Sequence, residues 1–117
     1  MRTFKTEWFA KAARKARIGD ADLCVAIKAV AEGKADDLGG GVFKKRLDKN
    51  RARSIILASD GRFWVFVYLF AKKDRANIND EELEGFKDLA AAYRKERDAD
   101  INGQVRDGKL LEICDDD

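Results

Sequence analysis

The sequence contains no histidine and no proline, only two cysteines, and no apolar run approaching the ~20 residues of a membrane span. Without histidine, no imidazole can activate a serine or cysteine nucleophile, and none can complete a zinc set. Gly-x-Ser-x-Gly, phosphate-binding P-loop and dinucleotide-binding fingerprints are missing as well. Any catalysis is therefore left to lysine, arginine, carboxylates or tyrosine. Cys24 and Cys114 sit in apolar contexts without metal-ligand spacing. Both read as free, partly buried thiols in preference to a disulfide, which points to the cytoplasm. The N-terminus has no continuous apolar stretch of the signal-peptide kind, so neither export nor membrane insertion is expected.

What remains is a chain of 117 residues, the size of one domain over 1–117, with 45% hydrophobic and 39% charged residues. Disorder is expected only in the acidic tail, from about 112 to 117. The net charge of +2 averages over polarised segments. Arg2, Lys5, Lys11, Arg14, Lys15 and Arg17 stand against Glu7 alone, and Lys44, Lys45, Arg46, Lys49, Arg51 and Arg53 against Asp48 alone. Acid gathers from Asp80 to Glu84 and at Asp115 to Asp117. If the two basic segments share a face, that face attracts a polyanion.

Phe4, Trp8, Ala12 and Ala16 recur every four residues, which predicts an amphipathic helix from Phe4 to Ala16 with that stripe buried. Gly19 breaks it, Asp20 is the expected N-cap, and Leu23, Ile27 and Val30 mark a second helix ending near Gly33, completing a helical hairpin. Gly39, Gly40 and Gly41 open an irregular turn, after which the period becomes that of strands. Strands are predicted at Val42–Leu47, Arg53–Ser59 and Phe63–Phe70, with Asp60-Gly61 as a hairpin dipeptide. In the last strand Phe63, Val65, Val67 and Leu69 should face one way and Trp64, Phe66, Tyr68 and Phe70 the other, making it central and covered on both sides. Asn79 and Glu82 have capping-box spacing before a helix whose buried stripe is Leu83, Phe86, Ala90 and Tyr93. A polar connection from about Asp98 to Gly108 and a short strand at Leu110, Leu111 and Ile113 complete an α+β fold. Its core is a small antiparallel sheet carrying two N-terminal helices and a C-terminal helix.

Strand alternation puts Lys44 and Arg46 on one face, about 7 Å apart, and Lys45 on the other beside Phe43 and Leu47. Paired cations of this kind straddle phosphates, although charge on an edge strand also serves simply to prevent aggregation. Antiparallel pairing can add Arg51 or Arg53 to the patch, which is costly without an anion. RNA, another polyanion and an acidic protein all remain candidates. Lys72, Lys73 and Arg75 follow the central strand, where a rim presents functional groups but also simply meets solvent. The aromatics read as core, with Trp64 and Tyr68 as possible exceptions.

Gly39-Gly40-Gly41-Val42-Phe43-Lys44-Lys45-Arg46, Arg53 opening a strand, and Phe66-Val67-Tyr68-Leu69-Phe70-Ala71-Lys72-Lys73-Asp74-Arg75-Ala76-Asn77-Ile78 together resemble RelE/HigB-like toxins of the RelE/ParE superfamily. The resemblance runs from Met1 to about Tyr93. It implies a toxin of a bacterial toxin–antitoxin pair, in many members a ribosome-dependent mRNA endoribonuclease needing neither metal nor cofactor. Lys44, Arg46, Arg53 and Lys73 match the family's catalytic cations, which would stabilise charge during attack by a 2′-hydroxyl. Lys45, Arg51, Lys72 and Arg75 are then RNA contacts. The implied partners are mRNA, the ribosome and a cognate antitoxin of the helix-turn-helix DNA-binding type. The chain departs from the pattern where some members place a tyrosine or histidine, since Asn79 stands in the comparable region, and Asp48 to Arg53 lacks a glycine-rich turn. The alternatives are a ParE-like poison of DNA gyrase without nuclease activity and an inactive interaction module on the same fold.

Overall fold

The computed structural model describes residues 1–114; the tail from Asp115 to Asp117 lies outside the described residues. In chain order the elements are β1 (Arg2–Thr6), α1 (Glu7–Ala16), α2 (Asp20–Ala31), β2 (Asp36–Gly39), β3 (Val42–Leu47), β4 (Ala52–Ser59), β5 (Phe63–Ala71), α3 (Asp80–Lys95), α4 (Asp98–Arg106) and β6 (Leu110–Ile113). The strands make one sheet in the order β2-β3-β4-β5-β1-β6. All pairs are antiparallel except β1 with β5. The α+β class and the central, doubly covered β5 are as the sequence predicts. One core, around Phe4, Val42, Ile55, Leu57, Phe63 and Val65, packs with Ala90 and Tyr93 of α3 and Ile101 of α4. The other, around Leu47, Ile56, Phe66 and Leu69, packs with Phe9 and Ala13 of α1 and Leu23 and Ile27 of α2.

The first predicted helix is corrected at its start. Arg2–Thr6 is extended because it fills the slot between β5 and β6, and this seats Phe4 in the α3-side core. Thr6 ends the strand and caps α1, its Oγ1 accepting from the Phe9 N–H at 3.1 Å. The buried face of α1 is Phe9, Ala10 and Ala13; of the expected stripe, Phe4 is buried from β1 and Ala12 is half-buried, but Ala16 is exposed and Trp8 is left 51% exposed. A four-residue spacing that spans a strand and a helix describes no single face. Gly19, not Asp20, is the N-cap of α2, and Asp20 is its first residue, ion-paired to Lys5 at 2.7 Å.

Two segments read as irregular are regular. Asp36–Gly39 pairs with β3, and Gly40-Gly41 turns the hairpin with φ of 61° and 83°, the left-handed pair that a tight two-residue loop demands. The polar connection after Asp98 is α4, anchored by the buried Ile101 with Val105 beside it. Two apolar residues four apart suffice there because Asp98 and Asp100 satisfy the first turn. At the C-terminal side, residues 112 and 113 belong to β6, so the part of the expected disordered tail that the structure describes is ordered as far as Cys114.

The alternation of β5 also breaks. Ile55 pairs with Tyr68 and Ile56 with Phe66, so Val67 is an extra residue, a β-bulge. Beyond it the faces exchange. Phe70 joins the α3-side core together with Val67 and Tyr68, and Leu69 joins the α1/α2-side core. The cysteine reading is overturned: Cys24 and Cys114 form a disulfide, with Cα atoms 5.3 Å apart. Their separation of 90 residues concealed that α2 and the end of β6 meet in one core. The cytoplasmic expectation loses the support that free thiols lent it.

Candidate functional site

The β3–β4 turn and the end of β5 lie side by side, because Ala52 pairs with both Leu47 and Ala71. Most of the predicted cations collect at this end of the sheet. Arg53 is directly across from Arg46 on one side and Phe70 on the other, while Lys44 opposes Ile55 on the same face. The three cations therefore project towards the α3 side. Lys45 points to the α1/α2 side with Phe43 and Leu47, as alternation requires.

Arg53 is the unusual member. It is only 9% exposed, yet its Nη1 donates to the carbonyls of Asn50 (3.1 Å) and Ala52 (3.2 Å) and, among the described residues, to no carboxylate. Its cross-strand neighbour Arg46 is exposed and makes no ion pair among the described residues. Like charges directly opposed across a ladder are destabilising, and a buried charge ordinarily needs a counterion. A bound anion would satisfy both requirements. The turn that aims Arg53 is itself strained: Asp48, Lys49 and Asn50 take φ of 54°, 54° and 71° in succession, with no glycine among them. Left-handed backbone costs roughly 1–2 kcal/mol per ordinary residue, less for Asp and Asn.

The other predicted residues divide by place. Lys44 reaches its strand partner Asp36 at 3.8 Å, and Arg51 is held to Asp48 at 3.0 Å. Lys72 and Lys73 are exposed and line a groove of about 750 Å³ with Arg51, Ala52, Ala71 and Ala16 of α1. The structure thus brings Lys44, Arg46 and Arg53 together and puts Lys73 at the neighbouring groove. Arg75 is engaged on the α3 side. It forms a two-pronged pair with Glu82, donates to Tyr68 Oη at 3.4 Å and stands 5.5 Å from the centre of the Phe70 ring.

Glu82 is a residue that sequence reading saw only as a helix cap. It closes the capping box with Asn79, accepting from the Asn79 N–H at 2.8 Å, and it also fixes Arg75. The Arg75 guanidinium, followed by that backbone N–H, holds its carboxyl below the ordinary range, and Glu82 in turn raises Arg75. A carboxylate so held is a weak base. Asn79 is committed to the cap, so neither residue supplies an obvious proton acceptor.

The family model described as the RelE toxin of the RelE / RelB toxin-antitoxin system matches residues 1–113. The chain belongs to the RelE toxin family. The match extends past Tyr93, where the sequence resemblance stops, to the end of β6. No curated protein and no solved structure matches the chain. As a RelE toxin it is one half of a toxin–antitoxin pair, with an antitoxin as its partner. No helix among the described residues is long and apolar enough to cross a membrane.

Proposed function

We propose that this RelE toxin is a metal-independent endoribonuclease that cuts mRNA on the ribosome and so inhibits translation. The observation that carries the reading is Arg53, a buried guanidinium opposed by a second arginine and lacking a carboxylate partner among the described residues. A phosphodiester is the anion that fits. Arg53 and Arg46 would donate to its non-bridging oxygens, and Lys44 would add a third positive charge. As the 2′-hydroxyl attacks phosphorus, the bond to the 5′-oxygen breaks, giving a cyclic 2′,3′-phosphate and a free 5′-hydroxyl. One proton leaves the 2′-oxygen and one reaches the 5′-oxygen. Charge accumulates on the oxygens held by the arginines, where fixed donors act most strongly.

Lys73, Lys72 and Arg51 are RNA contacts flanking that centre in this reading, Lys45 is a further contact on the opposite face of the sheet, and Arg75 is a supporting residue fixed by Glu82. The chain acts as one domain in the cytoplasm, and a helix-turn-helix antitoxin covers the basic face or blocks ribosome entry.

The test is to induce wild type, Arg53→Ala and Lys73→Ala separately and to map transcript 5′ ends. Loss of an aligned charge-stabilising donor costs roughly 10²–10³ in rate, so Arg53→Ala should abolish new ends within a growth experiment. Lys73→Ala should reduce them less. Absence of new ends with wild type, or undiminished cutting by Arg53→Ala, would overturn the reading. Intact RNA with stalled gyrase would favour the ParE-like alternative, and unaffected growth an inactive module.

A further inference from the structure

Trp8 lies outside the site described above and is a large aromatic that the fold leaves half exposed. One face of its indole lies on Tyr68, with ring centres 5.1 Å apart and planes within 24°, yet the residue is 51% exposed, so its other face is open. From Trp8 a groove of about 540 Å³ runs along α1, lined by Lys11, Ala12, Lys15, Ala16 and, from β5, Leu69. It meets the groove of Arg51, Lys72 and Lys73 at Ala16, so the two form one path between α1 and the end of β5. Lys11 and Lys15 make no ion pair among the described residues. The acid in the path, Asp48, is tied to Arg51. At its other end Trp8 adjoins the arginine site through Tyr68 and then Phe70, the strand partner of Arg53.

A stacking platform joined to a cationic groove is the combination that holds single-stranded nucleic acid irrespective of sequence. We propose that RNA leaving the Arg53 face crosses Trp8, stacks one base on its open face, and continues along α1 with phosphates at Lys11 and Lys15. The two lysines are one helical turn apart, about 6 Å between Cβ atoms, the scale of neighbouring phosphates. An acidic helix could exploit the lysines but would make no use of a flat, half-exposed indole already backed by a second ring. The inference rests on the ribonuclease reading only for the class of polyanion.

The probe is a labelled 2′-O-methyl RNA, which the proposed chemistry cannot cut, in lengths of about three and about eight nucleotides. The longer strand should bind wild type more tightly, and Trp8→Ala should remove that advantage, weakening it roughly tenfold. Trp8→Phe should retain most of it, which separates stacking from misfolding. Lys11→Glu with Lys15→Glu should also weaken the longer strand and lower the salt slope by about two. In a Trp64→Phe background, Trp8 is the remaining tryptophan and its emission should be quenched on binding. Unchanged affinity in the Trp8→Ala and lysine variants, unquenched emission, or capture of an acidic helical peptide in place of RNA would overturn the proposal. Binding through Trp8 without transcript cleavage would sink only the ribonuclease; cleavage with binding indifferent to Trp8 would sink only this groove.

Discussion

Reducing the Cys24–Cys114 disulfide should remove a large part of the protein's stability. The cross-link joins α2 to the end of β6 across 90 residues of chain, almost the whole fold. Closing a loop of that length in the unfolded chain stabilises the folded state by about 4.6 kcal/mol from chain entropy. A domain of this size has roughly 5–15 kcal/mol in total, so the reduced protein should be marginal at best. Urea unfolding of the oxidised and reduced forms is the assay, with Cys24→Ser, Cys114→Ser as a mimic of the reduced form. With a urea slope of roughly 2 kcal/mol per molar, the midpoint should fall by about 2 M. Thiol titration of the denatured, unreduced protein should detect no free cysteine. Coincident midpoints, or two reactive thiols before reduction, would refute the reasoning. The result also bears on compartment, since thiol buffers in a reducing cytoplasm oppose such a bond.

Lys49→Gly should stabilise the protein by about 0.5–1 kcal/mol in the same assay, because lysine has no local compensation for its left-handed backbone. Deleting Val67 should remove the bulge but leave Ile56 against Phe66 and Ile55 against Tyr68, so Tyr68 and Phe70 keep their core and the cost should be that of one buried valine, about 1.5–3 kcal/mol in the same assay; an unfolded variant would contradict this. Because Arg75 lowers the Glu82 carboxyl, the unfolded chain takes up that proton first as pH falls. The stabilisation is complete above the unfolded value of about 4.3 and is lost as pH drops through the folded one. Glu82→Gln should therefore be less stable than wild type near neutrality, with the gap closing in acid, which urea titrations at both pH values would check.

Local chemistry determined much of this protein by itself. Alternation placed Lys44 and Arg46 together and Lys45 opposite, the apolar run of β5 required a covered central strand, and Asn79 with Glu82 marked the start of α3. These are contacts between near neighbours, whose geometry follows from a strand or helix period. The cationic segments and the family resemblance were equally legible, because they reside in residue order.

What only the tertiary structure decided depends on pairing across long separations. Phe4 became a strand residue because β5 and β6 offered it a slot, and that capture turned Trp8 outward. A single extra residue at Val67 exchanged the faces of β5 and set Phe70 beside Arg53. The cysteines met because two remote elements share a core. Arg53 was identifiable as a cation from sequence, but its burial opposite Arg46 was not. Strand register and the packing above it, which no local period specifies, made it the centre of the site.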